Sequence, residues 1–535
     1  MVLWKRKKKS DKEQIPSGQI IDNSQDKQLT HDLVHNIDTL TNVFQKDTDF
    51  SSRTFHIVGE TPAAAFYISS LVDKEKINRD IIHPLQETNS RADRTTLLGK
   101  KNLLLSLLYD VLYYSDGEIV SGYDEILDAI LHGKTVVLVD GYHDALILDT
   151  FTLEKRGITE PESERVVRGP REGFIEVLQT NISLLRYRLP VPEFRAESIE
   201  IGEKTKTKVA VCYLDNIADD DLVLEVKKRI NDINVDRILD AGYIEQFIQD
   251  NPRSPFPQVQ NTERPDRAVG NILEGRVVIL VDGSPFALIV PAVFNQFYQT
   301  SEDYLSRFIM SSIIRFIRFV ALLFSLTFSS LYITVLSFHP EMIPAQFMVA
   351  ASSGRAGVPF PVVVEVLLME IAMEILREAT IRMPQQVGGA LSIVGVLVIG
   401  QAAVSAGFVS PITVVIIALS TIGSFATPSY NAAIAFRMLK FPLIILSGII
   451  GLLGLAIGLM FIVNHMLSLR SFGVPYFTPL SPWNKEGVKD SFIRAPLRWF
   501  KERPSELHPK DRIRVESSVK EGPTNPLANR KRGKS

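Results

Sequence analysis

From Pro384 to Phe436 the chain runs 53 residues without an Asp, Glu, Lys or Arg. A charge at mid-bilayer costs about 2.5–3.5 kcal/mol on translocon scales, so long charge-free runs mark segments that sit in lipid. About 20 apolar residues span a bilayer core, so this run has room for two crossings and a turn. Two more such runs flank it, Phe319–Phe338 and Phe441–Leu469, the second carrying only His465 as a titratable group. Residues 304–470 are therefore expected to form an all-α polytopic membrane domain.

Residues 1–303 are of a different kind, rich in charge and without any 18-residue apolar stretch. The net charge of −2 averages these parts with a basic end and decides nothing, and no feature calls for nucleic acid. A single cysteine, Cys212, excludes a disulfide framework and a Cys-based metal site; within Val209–Leu214 it reads as a small buried residue. The basic start Lys5–Lys9 lacks the apolar region of a signal peptide, so the N-terminal half is expected in the cytoplasm. Arg307, Arg315 and Arg318, just before the first span, agree with a positive-inside start.

The clearest internal signal is a repeat. His132–Gly141 and Glu274–Gly283 are each an apolar, β-branched run ending in Asp-Gly, and each is followed by a second run, Ala145–Leu148 or Ala287–Val290. That is a strand–turn–strand pattern, with Gly supplying the positive φ of the turn. Its recurrence suggests two related α/β subdomains. The expected organisation is a polar tail over 1–50, subdomains over 51–170 and 171–303, the membrane domain, and a basic, largely irregular tail over 471–535. Helices are expected over 125–131 behind a capping box from Ser121 to Asp124, over 172–187 as a bridge between the units, over 221–230 and over 240–248. The Pro-rich stretch 251–267 is expected to be an extended loop.

Catalytic patterns are missing. Gly133-Lys134-Thr135 ends like a phosphate-binding loop, but Asp128 stands where the pattern needs Gly, and a strand follows instead of a helix. His143 and Asp144 share a hairpin, yet the second copy has Pro285 and Phe286 there. The expectation is a protein that is not an enzyme, with no cofactor and no metal.

In the membrane half, Val362–Ile381 is apolar but carries Glu365, Glu370, Glu374 and Glu378. The last three step by four and share a helical face, which either lines water inside the membrane or lies at the interface paired with Arg377 and Arg382. The long uncharged run divides at Ser410-Pro411. Its first half, Gly388–Val404, is rich in Gly and Ala, which lets helix backbones approach closely inside a bundle or at a subunit contact. Gln401 is its one strongly polar side chain, and at a symmetry axis such a helix could line a pore with Leu397 and Val398 as an apolar gate. Ordinary tight packing explains the same spacing. The final span, with Gly448, Gly451, Gly454 and Gly458, has the small-residue spacing of helix contacts. Four spans would put the C-terminal tail inside and five outside; Arg377, Arg382, Arg437 and Lys440 favour five, the basic tail four.

Glu160–Arg171, Ser254–Asp266, Val281–Phe286, Glu370–Arg377, Val398–Val404 and Ser471–Phe477 together resemble the spore germination GerA family, a likeness covering about 95–480. The resemblance implies the A subunit of a nutrient germinant receptor in the inner spore membrane, its N-terminal region on the cytoplasmic, spore-core side. It implies work beside a transporter-like B subunit that holds the nutrient and a lipoprotein C subunit. It further implies a homo-oligomer forming a ligand-gated channel for cations, with the constriction at Val396, Leu397 and Val398. The stage V sporulation AF protein shares the architecture and is the alternative, as is a non-conducting scaffold.

Overall fold

β-Branched runs broken by Gly turns build two sheets in this chain, for which a computed structural model describes residues 28–87, 103–112, 117–152, 160–382 and 400–514. The first sheet holds β1 (Phe50–Ile57), β2 (Thr61–Ile68), β3 (Glu118–Val120), β4 (Thr135–Val139) and β5 (Ala145–Leu148). The second holds β6 (Phe194–Ile201), β7 (Thr207–Leu214), β8 (Gln260–Thr262), β9 (Val277–Val281) and β10 (Ala287–Val290). Their orders, β1-β2-β4-β5-β3 and β6-β7-β9-β10-β8, are the same topology, antiparallel throughout. The repeat seen in the sequence is the central hairpin of each sheet, pairing Val137 with Leu146 and Ile279 with Leu288. Gly141 and Gly283 turn these hairpins at φ +82° and +85°, a region open to Gly.

Every residue of β4 and β9 is buried, because apolar clusters cover both faces of each sheet. On the first sheet, Phe66, Val136 and Leu138 pack under α1 (Leu33–Val43) and α2 (Tyr123–Leu131), while Ala65, Val137 and Leu146 meet the apolar side chains of 77–85 and 103–112 on the other face. α1 falls within the expected polar tail and corrects it. Leu33, Leu40 and Val43 recur on one face among polar residues, and Asp32 caps the helix by accepting from Val34 N and His35 N.

Three further local expectations shift. α2 starts one residue after Gly122 without a side-chain cap, since the Ser121 hydroxyl donates instead to Asp144 at 2.6 Å. The bridging helix is α3 (Leu178–Arg188), shorter than its apolar pattern, because Glu172–Val177 runs irregularly and the helix begins only where Leu178 N donates to the Asp282 carboxylate at 3.2 Å. The Pro-rich stretch is irregular only as far as β8; Pro265 then opens α6 (Pro265–Ile272), where a missing N–H costs nothing. Between β7 and β8 lie α4 (Asp220–Asn231) and α5 (Ala241–Ile248), capped by Asp219 and Asp240. Cys212 lies fully buried in β7.

α3 ties the two sheets together. Its Arg186 is fully buried, meets Asp47 at 2.6 Å and Asp49 at 3.3 Å, and lies over the Phe194 ring. Gln179 donates to Asp49, and the backbone of Thr48 donates to Ala196.

The C-terminal half is helical: α7 (Phe308–Phe338), α8 (Ala345–Arg355), α9 (Val362–Ile381), α10 (Pro411–Phe425), α11 (Tyr430–Ile450) and α12 (Leu452–Ser468). α7 and α11 are long and apolar enough to cross a membrane; α10 and α12 are shorter apolar helices. The expected final span is in fact the end of α11 plus α12. Gly451, at φ +64° and packed against Phe338, breaks the helix there and reverses the chain. Gly454 and Gly458 then press against Leu446 and Leu443 of α11, so these glycines serve a hairpin within one chain.

Contacts fix the direction of the five longer helices. α7 leaves the second α/β unit. α10 begins beside Tyr332, near the far end of α7, and returns to meet Ala321 through Gly423. α11 starts with Phe436 against Phe256, runs out to Phe338, and α12 comes back to place His465 2.9 Å from Ser254. α9 runs inward as well, from Glu365 beside Thr413 to Glu374 beside Arg437. The tail after α12 is more ordered than its composition suggests. The hairpin of β11 (Arg470–Ser471) and β12 (Val474–Pro475) bonds to Gln258 and Ala292 through the Ser471 hydroxyl, Tyr476 is buried among Phe256, Phe294 and Phe297, and Lys510 reaches Asp220 at 2.7 Å. The chain thus returns to the α/β unit that it left.

Candidate functional site

α9 is the one described helix of the bundle that carries a row of acids through an apolar sequence, and its neighbours supply the answering charges. Pro361 precedes it, and Val362, Val366 and Met369 seat it among α7, α10 and α11. Glu365 is fully buried. Its Oε1 accepts from Arg355 Nε at 3.0 Å, and its Oε2 accepts from Ser410 N and Thr413 Oγ1, each at 3.0 Å. Thr413 continues the chain of bonds to the Tyr332 hydroxyl at 3.1 Å.

One turn further in, Glu370 accepts from Ser329 Oγ at 2.7 Å and from Lys440 Nζ at 2.8 Å. Lys440 also donates to Ser420 Oγ at 3.1 Å, whose proton goes to the Ser325 carbonyl. Both side chains are nearly solvent-free, at 4% exposure each. Glu374 pairs with Arg377 on its own helix and lies 3.6 Å from Arg437 Nε. Glu378 is exposed and binds Arg382.

The register follows from helix geometry. Glu370 and Glu374 are a turn apart on α9, Arg437 and Lys440 a turn apart on antiparallel α11, so two acids meet two bases in reverse order. Buried charges are tolerated only when paired and hydrogen-bonded, which accounts for the Ser and Thr hydroxyls around each rung. Glu365, Glu370 and Glu374 therefore form one seam joining α9 to four other helices, α7, α8, α10 and α11, and Glu378 leaves it for the surface. Arg355, Lys440 and Arg437 were not read from the sequence as partners, although two cations three residues apart in an apolar helix are a usable signal.

Val396, Leu397 and Val398 lie outside the described residues. Gln401 is described and exposed, and takes no part in the seam. Among the described residues no group of three or more His, Cys, Asp or Glu side chains is placed to hold a metal ion.

A second charged cluster sits at the base of α7. Arg315 contacts Asp303 at 2.9 Å and Asp490 of the tail at 2.7 Å; Arg318 also reaches Asp303, and Tyr304 donates to Asp490. Burial pulls the Asp303 carboxyl upward, but the hydrogen bond from Arg318 and the charges of both arginines outweigh it and leave it below the usual carboxylate range. For Asp490 burial wins over Arg315 and the carboxyl is raised. Helix, α/β unit and tail are locked together at this point.

Residues 38–506 match the family described as Bacillus/Clostridium GerA spore germination protein, a match that takes in both sheets, the bundle and most of the described tail. The chain belongs to the GerA family. It is 44% identical over 451 residues to spore germination protein KA of Bacillus subtilis (strain 168), covering 84% of this chain and 82% of that one. It is 38% identical over 485 residues to the membrane protein YfkQ of the same organism, covering 90% and 93%. Among solved structures, the N-terminal domain of the A subunit of the Bacillus megaterium spore germinant receptor GerK3 is 32% identical, covering 50% of this chain and 98% of that one, with a TM-score of 0.40. The GerA match covers the α9 seam and the cluster at the base of α7 alike.

Proposed function

We propose that this chain is the membrane-embedded A subunit of a spore nutrient germinant receptor, acting as a homo-oligomeric, ligand-gated cation channel beside a transporter-like B subunit and a lipoprotein C subunit. The observation that carries the reading is the GerA match across 38–506, which joins the α/β units and the helical bundle in one family. Multi-pass insertion in the inner spore membrane, with both α/β units and the tail on the core side, agrees with the return of the tail to Gln258 and Asp220. That return requires an even number of crossings. Of the two earlier counts of spans it supports four over five, and it supports a tail on the same face as the α/β units.

A catalytic role has no support in the residues. The α9 seam suits a regulated bundle: each rung holds two or more helices, and loss of one pair frees a helix to shift. Gln401, exposed on the single chain beside Ala402, is a polar group that oligomerisation around the Val396–Val398 constriction would bring to a water-filled axis. The test is a spore in which this chain alone is deleted, with cation release followed after each candidate nutrient. Loss of the response to one nutrient class, restored by the intact chain and accompanied by co-purification of B and C subunits, supports the assignment. Unchanged responses to every nutrient, with no co-purifying subunit, contradict it.

A further inference from the structure

The tail segment after Asp490 has a composition that its fold does not use. Between Asp490 and Glu502 there is no acidic residue, and Arg494, Arg498 and Lys501 give it positive charge. Ile493, Leu497 and Trp499 are 66%, 56% and 61% exposed, while Arg494 is buried. The segment lies along the first turns of α7. The Ser312 hydroxyl donates to the Arg494 carbonyl and accepts from its N–H, and the Phe492 ring meets Phe319 edge-on at 4.6 Å. Pro496 and a single 3₁₀ turn, Leu497–Trp499, hold the two apolar side chains outward.

α7 itself presents Phe308, Ile309, Ile313 and Phe316 to the outside from its first turn, so the apolar surface of the tail continues that of the helix. Its arginines do not serve this surface: Arg315 and Arg318 are turned to Asp303 and Asp490. Arg307, just before α7, and Arg498 and Lys501, flanking Leu497 and Trp499, are exposed. Apolar and tryptophan side chains with flanking cations are the composition of a segment lying at an anionic membrane surface.

We propose that residues 492–501 form an interfacial collar at the base of α7, resting on the leaflet that faces the α/β units. Leu497, Ile493 and Trp499 enter the boundary between headgroups and acyl chains, and Arg498 and Lys501 meet anionic lipid headgroups. This rests on the reading of α7 as a membrane span. Through Asp490 and Arg315 the collar would couple the charge of the leaflet to the joint between bundle and α/β units.

The chain has three tryptophans, Trp4, Trp483 and Trp499, which makes the test direct. With Trp4→Phe and Trp483→Phe, the full-length protein reports from Trp499 alone. In vesicles containing anionic lipid, bromines placed high on the acyl chains remove most of the Trp499 emission, and aqueous acrylamide removes little. Arg498→Gln with Lys501→Gln lowers the bromolipid quenching in anionic vesicles toward its value in purely zwitterionic ones. A second reporter, Leu497→Trp in a chain with Trp499→Phe, gives the same pattern. Quenching by acrylamide without quenching by bromolipid overturns the collar, as does protection from both, which would mean that a neighbouring protein covers it. A tryptophan-free chain with Leu323→Trp serves as the reference: if deep bromines fail to quench it, the span reading of α7 has failed, whereas its quenching beside an unquenched Trp499 refutes the collar alone.

Discussion

Removing Lys440 isolates the energetics of the α9 seam. In Lys440→Met the carboxylate of Glu370, 4% exposed, keeps only the Ser329 hydroxyl as a donor. Leaving one partner of a buried ion pair uncompensated costs about 3–5 kcal/mol. Glu370→Leu strands the Lys440 ammonium with Ser420 and falls in the same range of about 3–5 kcal/mol. The double variant removes both charges and puts side chains of similar volume in an apolar setting, so it should lie within about 2 kcal/mol of the wild type. Simple addition would give about 6–10 kcal/mol, so the coupling energy expected is at least about 4 kcal/mol, well above the errors of a double-mutant cycle. The assay is loss of helical circular dichroism during thermal denaturation of the full-length protein in detergent, for the wild type, both singles and the double. Additive losses, or a double variant worse than either single, would refute the pairing argument and the register of α9 against α11.

Further outcomes follow from other parts of the chain. Burial, with the nearby Asp240, lifts the Glu245 carboxyl to about 7, so its neutral form belongs to the folded state. Stability from this group is full below pH ~4.5 and is lost as pH rises toward 7; Glu245→Gln should therefore raise the melting temperature at pH 8 and leave it unchanged at pH 4, and an equal gain at both would contradict this. Arg186→Met leaves Asp47 and Asp49 unpaired between the two α/β units and should cost about 3–5 kcal/mol, seen as faster proteolysis between the units; an unchanged digestion pattern would show that the junction does not depend on it. Gly451→Val forces a β-branched residue to φ +64° with a Cβ 2.8 Å from Phe338, and should unfold the α11–α12 hairpin at lower temperature by more than the ~1–2 kcal/mol of left-handed strain alone; a fully stable variant would place the chain reversal elsewhere.

The α/β half was legible because its signals are local. The Asp-Gly hairpins carry their own turn chemistry, and two copies in one chain pointed to two sheets. Helix α1 was missed because Leu33, Leu40 and Val43 are few among polar neighbours, and only packing under Phe66 and Val136 makes them core. In the bundle, charge-free runs located lipid-compatible sequence but not helix ends: Gly451 sits inside one apolar run, and nothing short of its backbone conformation marks a reversal there. The acids of α9 were found from spacing alone, while their partners Arg355 and Lys440 lie 10 and 70 residues away and no periodicity links them. The ordering of the tail was hidden for the same reason, since Tyr476 and Asp490 are anchored by residues far back in the chain.

Cation flux from vesicles containing the full-length protein, alone and together with the B and C subunits, wild type beside Leu397→Ala, puts the channel reading to its plainest trial. A constriction at Val396–Val398 predicts a leak that appears or rises in the variant while the oligomer and its melting temperature are retained. Equal silence from both, with correctly inserted oligomers and the B and C subunits present, would contradict a conducting role and leave the bundle as a scaffold.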